Sequence, residues 1–152
     1  MLTGYTRLCY LVAPSMKERG YGRIINVSSL AAFLPSTSGS LYTAIKSYVL
    51  HLSTALDLEL RPFGIHCTAV CPGFTYSEFH DTMKVRQAVS RYPGFMWMKA
   101  GRVAQEGYEA VMKGKPVVIN GIVNRLIAGV AAAIPRYLTH RIQRLRHPWG
   151  RE

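Results

Sequence analysis

Strand-like and helix-like segments alternate three times along this 152-residue chain, which predicts an α/β fold built on a small parallel sheet. Two observations carry the prediction. Short apolar, largely β-branched runs at residues 23–27, 65–70 and 116–119 each follow a segment whose apolar residues recur at helical spacing. Glycine and proline fall between them, at Gly20-Tyr21-Gly22, at Pro62 and Gly64, and at Pro72-Gly73.

Taken in order, residues 2–19 read as a helix with Leu8, Leu11 and Val12 on its apolar side, and Pro14 is expected to kink or shorten it. The run Arg23-Ile24-Ile25-Asn26-Val27 suits a buried strand, and a Ser-, Ala- and Pro-rich loop follows over 28–39. Leu41, Ile45, Val49, Leu52, Leu56 and Leu60 mark a long helix over 40–61, ended by Pro62 and Gly64. A second strand over 65–70 closes in Cys71-Pro72-Gly73. Residues 74–98 read as an irregular excursion dense in aromatic side chains and methionine. A short helix over 103–112 and a third strand over 116–119 follow. Val123, Ile127, Val130, Ile134, Leu138, Ile142 and Leu145 then set one face of a basic amphipathic C-terminal helix over 121–146. No internal repeat is visible. Three strands make a small sheet, and parallel strands require cover on both faces, so part of this sheet is expected to stand open.

With 49% hydrophobic and 18% charged residues the chain has enough apolar material for one globular domain over 1–152, which excludes a disordered tail. Three cysteines, with Cys67-x-x-x-Cys71 lacking zinc-ligand spacing, give neither a disulfide scaffold nor a metal site. They suit reduced, buried thiols in a cytoplasmic protein. The longest apolar run, residues 126–135, lies between Arg125 and Arg136 and is about half the length of a spanning helix. Residues 8–13 are too short for the apolar part of an export signal. The net charge of +11 by itself is a weak reason to expect nucleic acid, and none is expected. Arg136, Arg141, Arg144 and Arg146 follow one another with no acid between Glu109 and Glu152. A solvated basic face is the first reading, and contact with an anionic membrane surface is the alternative.

Tyr42 and Lys46 stand four residues apart on the long helix, so they share a face about 6 Å apart along its axis. Alone such a pair says little. Its setting says more: Ser28-Ser29 lies at the carboxyl end of the first strand and Pro72-Gly73 at that of the second, where α/β sheets place their ligands.

These residues resemble the short-chain dehydrogenase/reductase family. The likeness runs through Gly20-Tyr21-Gly22-Arg23-Ile24-Ile25-Asn26-Val27-Ser28-Ser29-Leu30-Ala31-Ala32, then Tyr42-Thr43-Ala44-Ile45-Lys46, then Cys71-Pro72-Gly73-Phe74-Thr75. It is specific to about residue 80 and looser to about 125. The resemblance implies a Rossmann-type doubly wound sheet and an NAD- or NADP-dependent oxidoreductase acting on a carbonyl or a secondary alcohol. It assigns catalysis to Ser29, Tyr42 and Lys46. It assigns cofactor contacts to Tyr42, Lys46, Pro72, Gly73, Phe74, Thr75 and Ser77. It makes residues 74–98 a substrate lid, whose aromatic content suits an apolar or bulky substrate, with simple cover of the core as the equal alternative, and it implies a homo-oligomer formed through helices 2–19 and 40–61.

The residue types fit that chemistry. Hydride transfer at a carbonyl carbon requires a proton at its oxygen, which a phenol can give or take. A free tyrosine titrates near 10, some three units too high, and lowering it costs about 4 kcal/mol. An ammonium ~4 Å away at an effective dielectric of ~20 supplies about that much.

Two departures qualify the resemblance. The family's T-G-x-x-x-G-x-G turn, which presents backbone N–H groups to a pyrophosphate, occurs nowhere in the sequence. Met1 stands where the family places a fourth catalytic residue, an asparagine. The sequence thus matches the second half of a Rossmann-type domain. The alternative to an enzyme is a catalytically incompetent fragment acting as an association module.

Overall fold

The computed structural model describes residues 2–34, 40–76, 93–135, 138 and 141. Helix α1 (Leu2–Glu18) leads into strand β1 (Gly22–Val27), and a short 3-10 turn, Leu30–Phe33, follows. Helix α2 (Ser40–Leu60) leads into β2 (Ile65–Cys71), with the turn Arg61–Phe63 between them. After β2 come a two-residue strand β3 (Thr75–Tyr76) and its partner β4 (Met98–Lys99). Helix α3 (Ala100–Met112), β5 (Val117–Ile119) and α4 (Ile122–Ala133) complete the described chain.

The sheet is parallel throughout, in the order β1-β2-β5, with Asn26 opposite Ala69 and Ala69 opposite Val117. This is the α/β fold that the alternating segments predict. The central strand β2 is buried along its length apart from half-buried His66, which explains its near-continuous apolar sequence. In β1 burial alternates. Ile24 and Asn26 face α1 and α2, while Ile25 and Val27 on the other face are 42% and 50% exposed. Among the described residues nothing pairs the outer edge of β1.

Helix α1 turns a different face inward from the one its leucines suggest. Cys9 and Ala13 are buried against Ile24, Leu56, Leu60, Ile65 and Cys67, whereas Leu8 and Leu11 are 65% and 69% exposed. Small side chains four residues apart let the helix axis approach the sheet and α2 closely, and the larger leucines are left outside. Nor does Pro14 shorten the helix. It lies on the exposed face, where water can take the Tyr10 carbonyl that the missing N–H leaves unbonded. The helix ends in a Schellman turn instead: Gly20 at φ +65° donates to Lys17 O and Tyr21 to Met16 O.

Polar anchors fix α2 on the sheet. Asp57, 1% exposed, accepts the Cys67 N–H at 3.0 Å and the Arg61 Nε–H at 3.1 Å, and Arg61 also reaches the Gly114 carbonyl at 2.7 Å. Asn26 donates to Ser53 Oγ at 3.0 Å. The opposite face of β2 takes α3 at Gly107, where a Cβ would stand 2.8 Å from a Val70 methyl.

Two further corrections concern local structure. Residues 74–98 are not wholly irregular, since β3 and β4 pair in parallel. The C-terminal helix does not run unbroken over 121–146. Ile134 is extended, at φ −85° and ψ 123°, because Pro135 excludes the helical conformation from the residue before it. Leu138 and Arg141 are helical again, and most of 136–146 lies outside the described residues. Cys9, Cys67 and Cys71 are all free and buried. No helix among the described residues is long and apolar enough to cross a membrane.

Candidate active site

The carboxyl ends of β1 and β2 are joined by backbone hydrogen bonds that continue past the strands. Ser28 N–H donates to Val70 O, and Leu30 N–H donates to Pro72 O, each at 2.8 Å. The loop after β1 is therefore held against the Pro72-Gly73 turn after β2. Ser28 is buried and donates through Oγ to the Lys46 carbonyl at 2.7 Å, which fixes α2 at that point of the sheet. Ser29 is half-buried and extended, and it caps the short turn that follows: its Oγ accepts the Ala31 N–H at 3.1 Å. With that acceptor role filled by the chain, the Ser29 hydroxyl hydrogen is left to point elsewhere.

Lys46 projects from α2 across the end of β1 and donates through Nζ to the Val27 carbonyl at 2.9 Å. The ring of Tyr42, one turn earlier, has its centroid 5.7 Å from that ammonium. Burial pushes the Lys46 pKa below its ordinary value, and the nearby Cys71 opposes the shift. Burial pushes the Cys71 thiol up to about 11, against the opposing charge of Lys46.

Sequence reasoning passes over two residues here. Tyr5, on the first turns of α1, donates to the same Val27 carbonyl at 3.1 Å. Burial and the proximity of Tyr42 both push its pKa up. Nothing in a sequence of nine tyrosines marks this one, since its partner is a backbone oxygen in another element. The second is Asn124 on α4, 3% exposed, whose amide packs on Gly73: a Cβ at Gly73 would stand 2.6 Å from both Nδ2 and Oδ1. Asn124 Nδ2 donates to Asn120 O at 2.6 Å, and the fully buried Asn120 donates in turn to Glu106 Oε2 at 3.0 Å. A buried polar chain from α3 through the end of β5 thereby backs the Pro72-Gly73 turn.

Beyond the turn, Thr75 Oγ1 donates to Gly73 O at 3.1 Å and Met98 N–H to Phe74 O at 2.9 Å. Trp97 stacks on both Phe74 and Tyr76, at centroid distances of 5.3 and 5.0 Å. Phe95, Trp97 and Met98 also line a cleft of about 230 Å³ closed by Arg102, Ile122 and Asn124. Of the sequence-derived candidates, Ser29, Tyr42, Lys46, Pro72 and Gly73 therefore lie on elements gathered at one end of the sheet, with Phe74 and Thr75 leading away from it. Ser77 and most of the expected lid lie outside the described residues.

Comparison with known proteins identifies the family of this fold. The family profile for short chain dehydrogenase matches residues 1–88. The ketoacyl reductase HetN of Nostoc is 33% identical over 114 residues, covering 74% of this chain and 39% of its own. Human dehydrogenase/reductase SDR family member 4 is 40% identical over 68 residues, which is 45% of this chain and 24% of that protein. A short-chain dehydrogenase from Sphingobium yanoikuyae, solved with NADPH, superposes with a TM-score of 0.70 at 27% identity. That match covers 88% of this chain and 54% of the other. One from Burkholderia cenocepacia, solved with NADP, gives 0.73 at 23% identity, over 91% and 54%, and so speaks for the fold. The chain spans less than half the length of these curated relatives.

Proposed function

Because this chain belongs to the short-chain dehydrogenase family, we propose that it carries the substrate-facing half of an oxidoreductase site, acting on a carbonyl or secondary alcohol with NAD or NADP. The observation that carries the reading is the placement of Lys46, held to the Val27 carbonyl beside Tyr42, where the loops after β1 and β2 meet.

Tyr42 gives a proton to the substrate oxygen in reduction and takes it back in oxidation. Lys46 stabilises the phenolate form of Tyr42 by its charge, and burial strengthens that effect by excluding water. Ser29 orients the substrate. Its oxygen already accepts from Ala31, so its free hydrogen is directed to the substrate oxygen, where negative charge develops. The residues present fit the nicotinamide end of a cofactor. Lys46 has three N–H donors, of which the Val27 carbonyl takes one, leaving others for ribose hydroxyls. The turn at Pro72-Gly73, continued by Phe74, Thr75 and Ser77, offers backbone to a carboxamide. Nicotinamide, when bound, supplies or accepts the hydride. The aromatic segment from Phe74 to the Trp97 stack favours an apolar or bulky substrate.

The decisive experiment is a fluorescence titration of NADH and NADPH into the folded chain, with Lys46→Ala alongside. Saturable binding weakened by the substitution supports the reading. Turnover of a carbonyl substrate should then fall by about 10²–10⁴-fold in Tyr42→Phe with cofactor binding kept. Unchanged turnover there removes Tyr42 from its role.

A second reading is favoured by the unpaired edge of β1 and by Ile25 and Val27, exposed on a sheet face that parallel strands normally bury. In it, the chain is inactive alone and associates through that edge, or as a homo-oligomer through α1 and α2, where Leu8, Leu11 and Leu41 are exposed. Failure of a folded sample to bind either cofactor would favour this reading.

A further inference from the structure

The first turn of α4 forms one wall of the cleft that Phe95, Trp97 and Met98 line. Gly121, Ile122, Val123 and Asn124 all belong to that wall. Gly121 offers no side-chain cap, and a Cβ there would stand 2.9 Å from Met98 Sδ. The N–H groups of Ile122, Val123 and Asn124 have no acceptor among the described residues.

Beside these donors stands an acceptor with nothing to accept. Asn124 is 3% exposed, and its Nδ2 donates to Asn120 O at 2.6 Å, which fixes the sense of the amide. Its Oδ1 receives no hydrogen from any described residue. The fully buried Asn120 carries the same surplus: its Nδ2 is given to Glu106 Oε2 and Val103 O, and its Oδ1 has no partner. Acceptors held in this way are costly unless a donor reaches them, and Asn124 is the one that lines the cleft.

Donors and an acceptor in one wall select a ligand group that has both. A carboxylate would suit the N–H groups, yet it would set an oxygen against Asn124 Oδ1. The nearby charge adds little for an anion, because Arg102 is paired with Glu106 at 3.1 Å. An amide satisfies the whole wall: its carbonyl accepts from the helix start, and its N–H donates to Asn124 Oδ1. The cleft holds about 230 Å³, half as large again as the ~150 Å³ that houses benzene. An aryl or short alkyl group carrying the amide therefore fits against Phe95, Trp97 and Met98.

We propose that this cleft binds an apolar carboxamide, and that Asn124 selects the amide over a ketone or a carboxylate. The Asn124 amide also packs on the bare face of Gly73. In the oxidoreductase proposed above the amide thus belongs to the substrate, away from the reacting carbonyl. That placement rests on the earlier reading, whereas the binding itself does not.

The test is a titration of Trp97 fluorescence in the whole chain, with Trp149→Phe as background so that one indole remains. Phenylacetamide, phenylacetone and phenylacetate, alike in shape, are compared in the absence of cofactor. Phenylacetamide should bind saturably and about fivefold or more tighter than the other two, which have no N–H for Asn124. In Asn124→Leu the amide should lose its lead over the ketone. The wild-type series decides the matter by itself should that variant not fold. No saturable binding of phenylacetamide overturns the proposal, and so does a ketone or carboxylate that binds as tightly. A preference that survives in folded Asn124→Leu overturns the part given to Asn124. Failure to bind NADH and NADPH, by contrast, removes the oxidoreductase reading and leaves the amide site standing.

Discussion

Lys46 Nζ donates to the carbonyl of Val27 at 2.9 Å, and Tyr5 Oη donates to the same oxygen at 3.1 Å. One carbonyl at the end of β1 therefore holds the lysine that the proposed chemistry requires, and a phenol from α1 shares it. Removing that phenol leaves the oxygen to Lys46 alone and draws the ammonium toward it, away from Tyr42. Turnover in Tyr5→Phe should fall by about two- to tenfold, the worth of one neutral hydrogen bond. Rates of alcohol oxidation measured beside cofactor affinity check this, and wild-type values for both deny Tyr5 any part in placing Lys46.

Gly73 and Asn124 define a second close approach. A Cβ on Gly73 would lie 2.6 Å from the Asn124 amide, whose Nδ2 is held by Asn120 O. Gly73→Ala should cost about 1–3 kcal/mol by overpacking. Asn124→Ala should also destabilise, by leaving the Asn120 carbonyl without its donor. In the double variant the alanine methyl gains the space that the amide vacates, so the two costs should sum to more than the measured total. Urea unfolding of the four proteins gives the coupling directly. Strict additivity would mean that the turn moves away from α4 instead of pressing on it.

Much of this arrangement is legible in the sequence, for identifiable reasons. The run from Ile65 to Cys71 reads as a strand because both its faces are covered, and burial on both faces demands a continuous apolar run. Tyr42, Lys46, Ser29 and Pro72-Gly73 can be found because local spacing and strand ends mark them. The inward face of α1 cannot be found this way. Apolarity ranks Leu8 and Leu11 above Cys9 and Ala13, yet close packing on α2 and β1 selects the smaller pair. The break of α4 before Pro135 was open to reading from the proline alone, and the apolar spacing that continues past it hides it. Tyr5 and Asn124 stay hidden because their partners, a carbonyl at Val27 and the bare face of Gly73, lie 22 and 51 residues away in the chain.

Asp57 holds the other end of α2, far from the candidate site, so its substitution separates stability from chemistry. It is 1% exposed and accepts from the buried Cys67 N–H and from Arg61. Asp57→Ala leaves that N–H without an acceptor, while Arg61, 44% exposed, regains water. The expected loss is about 2–4 kcal/mol, most of it from the stranded backbone donor and the charged hydrogen bonds. Chemical denaturation checks the size. A loss below about 1 kcal/mol would show that a neighbouring group or water replaces the carboxylate.

Stability at alkaline pH should be governed by the two buried thiols of β2. Burial pushes Cys67 up to about 12 and Cys71 to about 11, from an unfolded value of 9.0. Each folded pKa lies above its unfolded one, so the native state keeps a proton that the unfolded chain releases. The corresponding stability is whole below pH 9 and is lost as pH rises from there through the folded values, at up to about 1.4 kcal/mol per pH unit for each thiol. Lys46 works in the opposite sense, because its folded pKa is lowered from 10.5 and a single group of that kind offsets part of the slope. Cys67→Ala removes one thiol at the cost of a small cavity, worth about 1 kcal/mol. The variant should therefore be less stable than the wild type below pH 9, equal to it roughly one pH unit higher, and more stable beyond that. Urea unfolding at intervals from pH 7 to about 11 would trace the crossing. Two parallel curves would mean that the Cys67 thiolate is tolerated inside the fold, against the desolvation that its complete burial imposes.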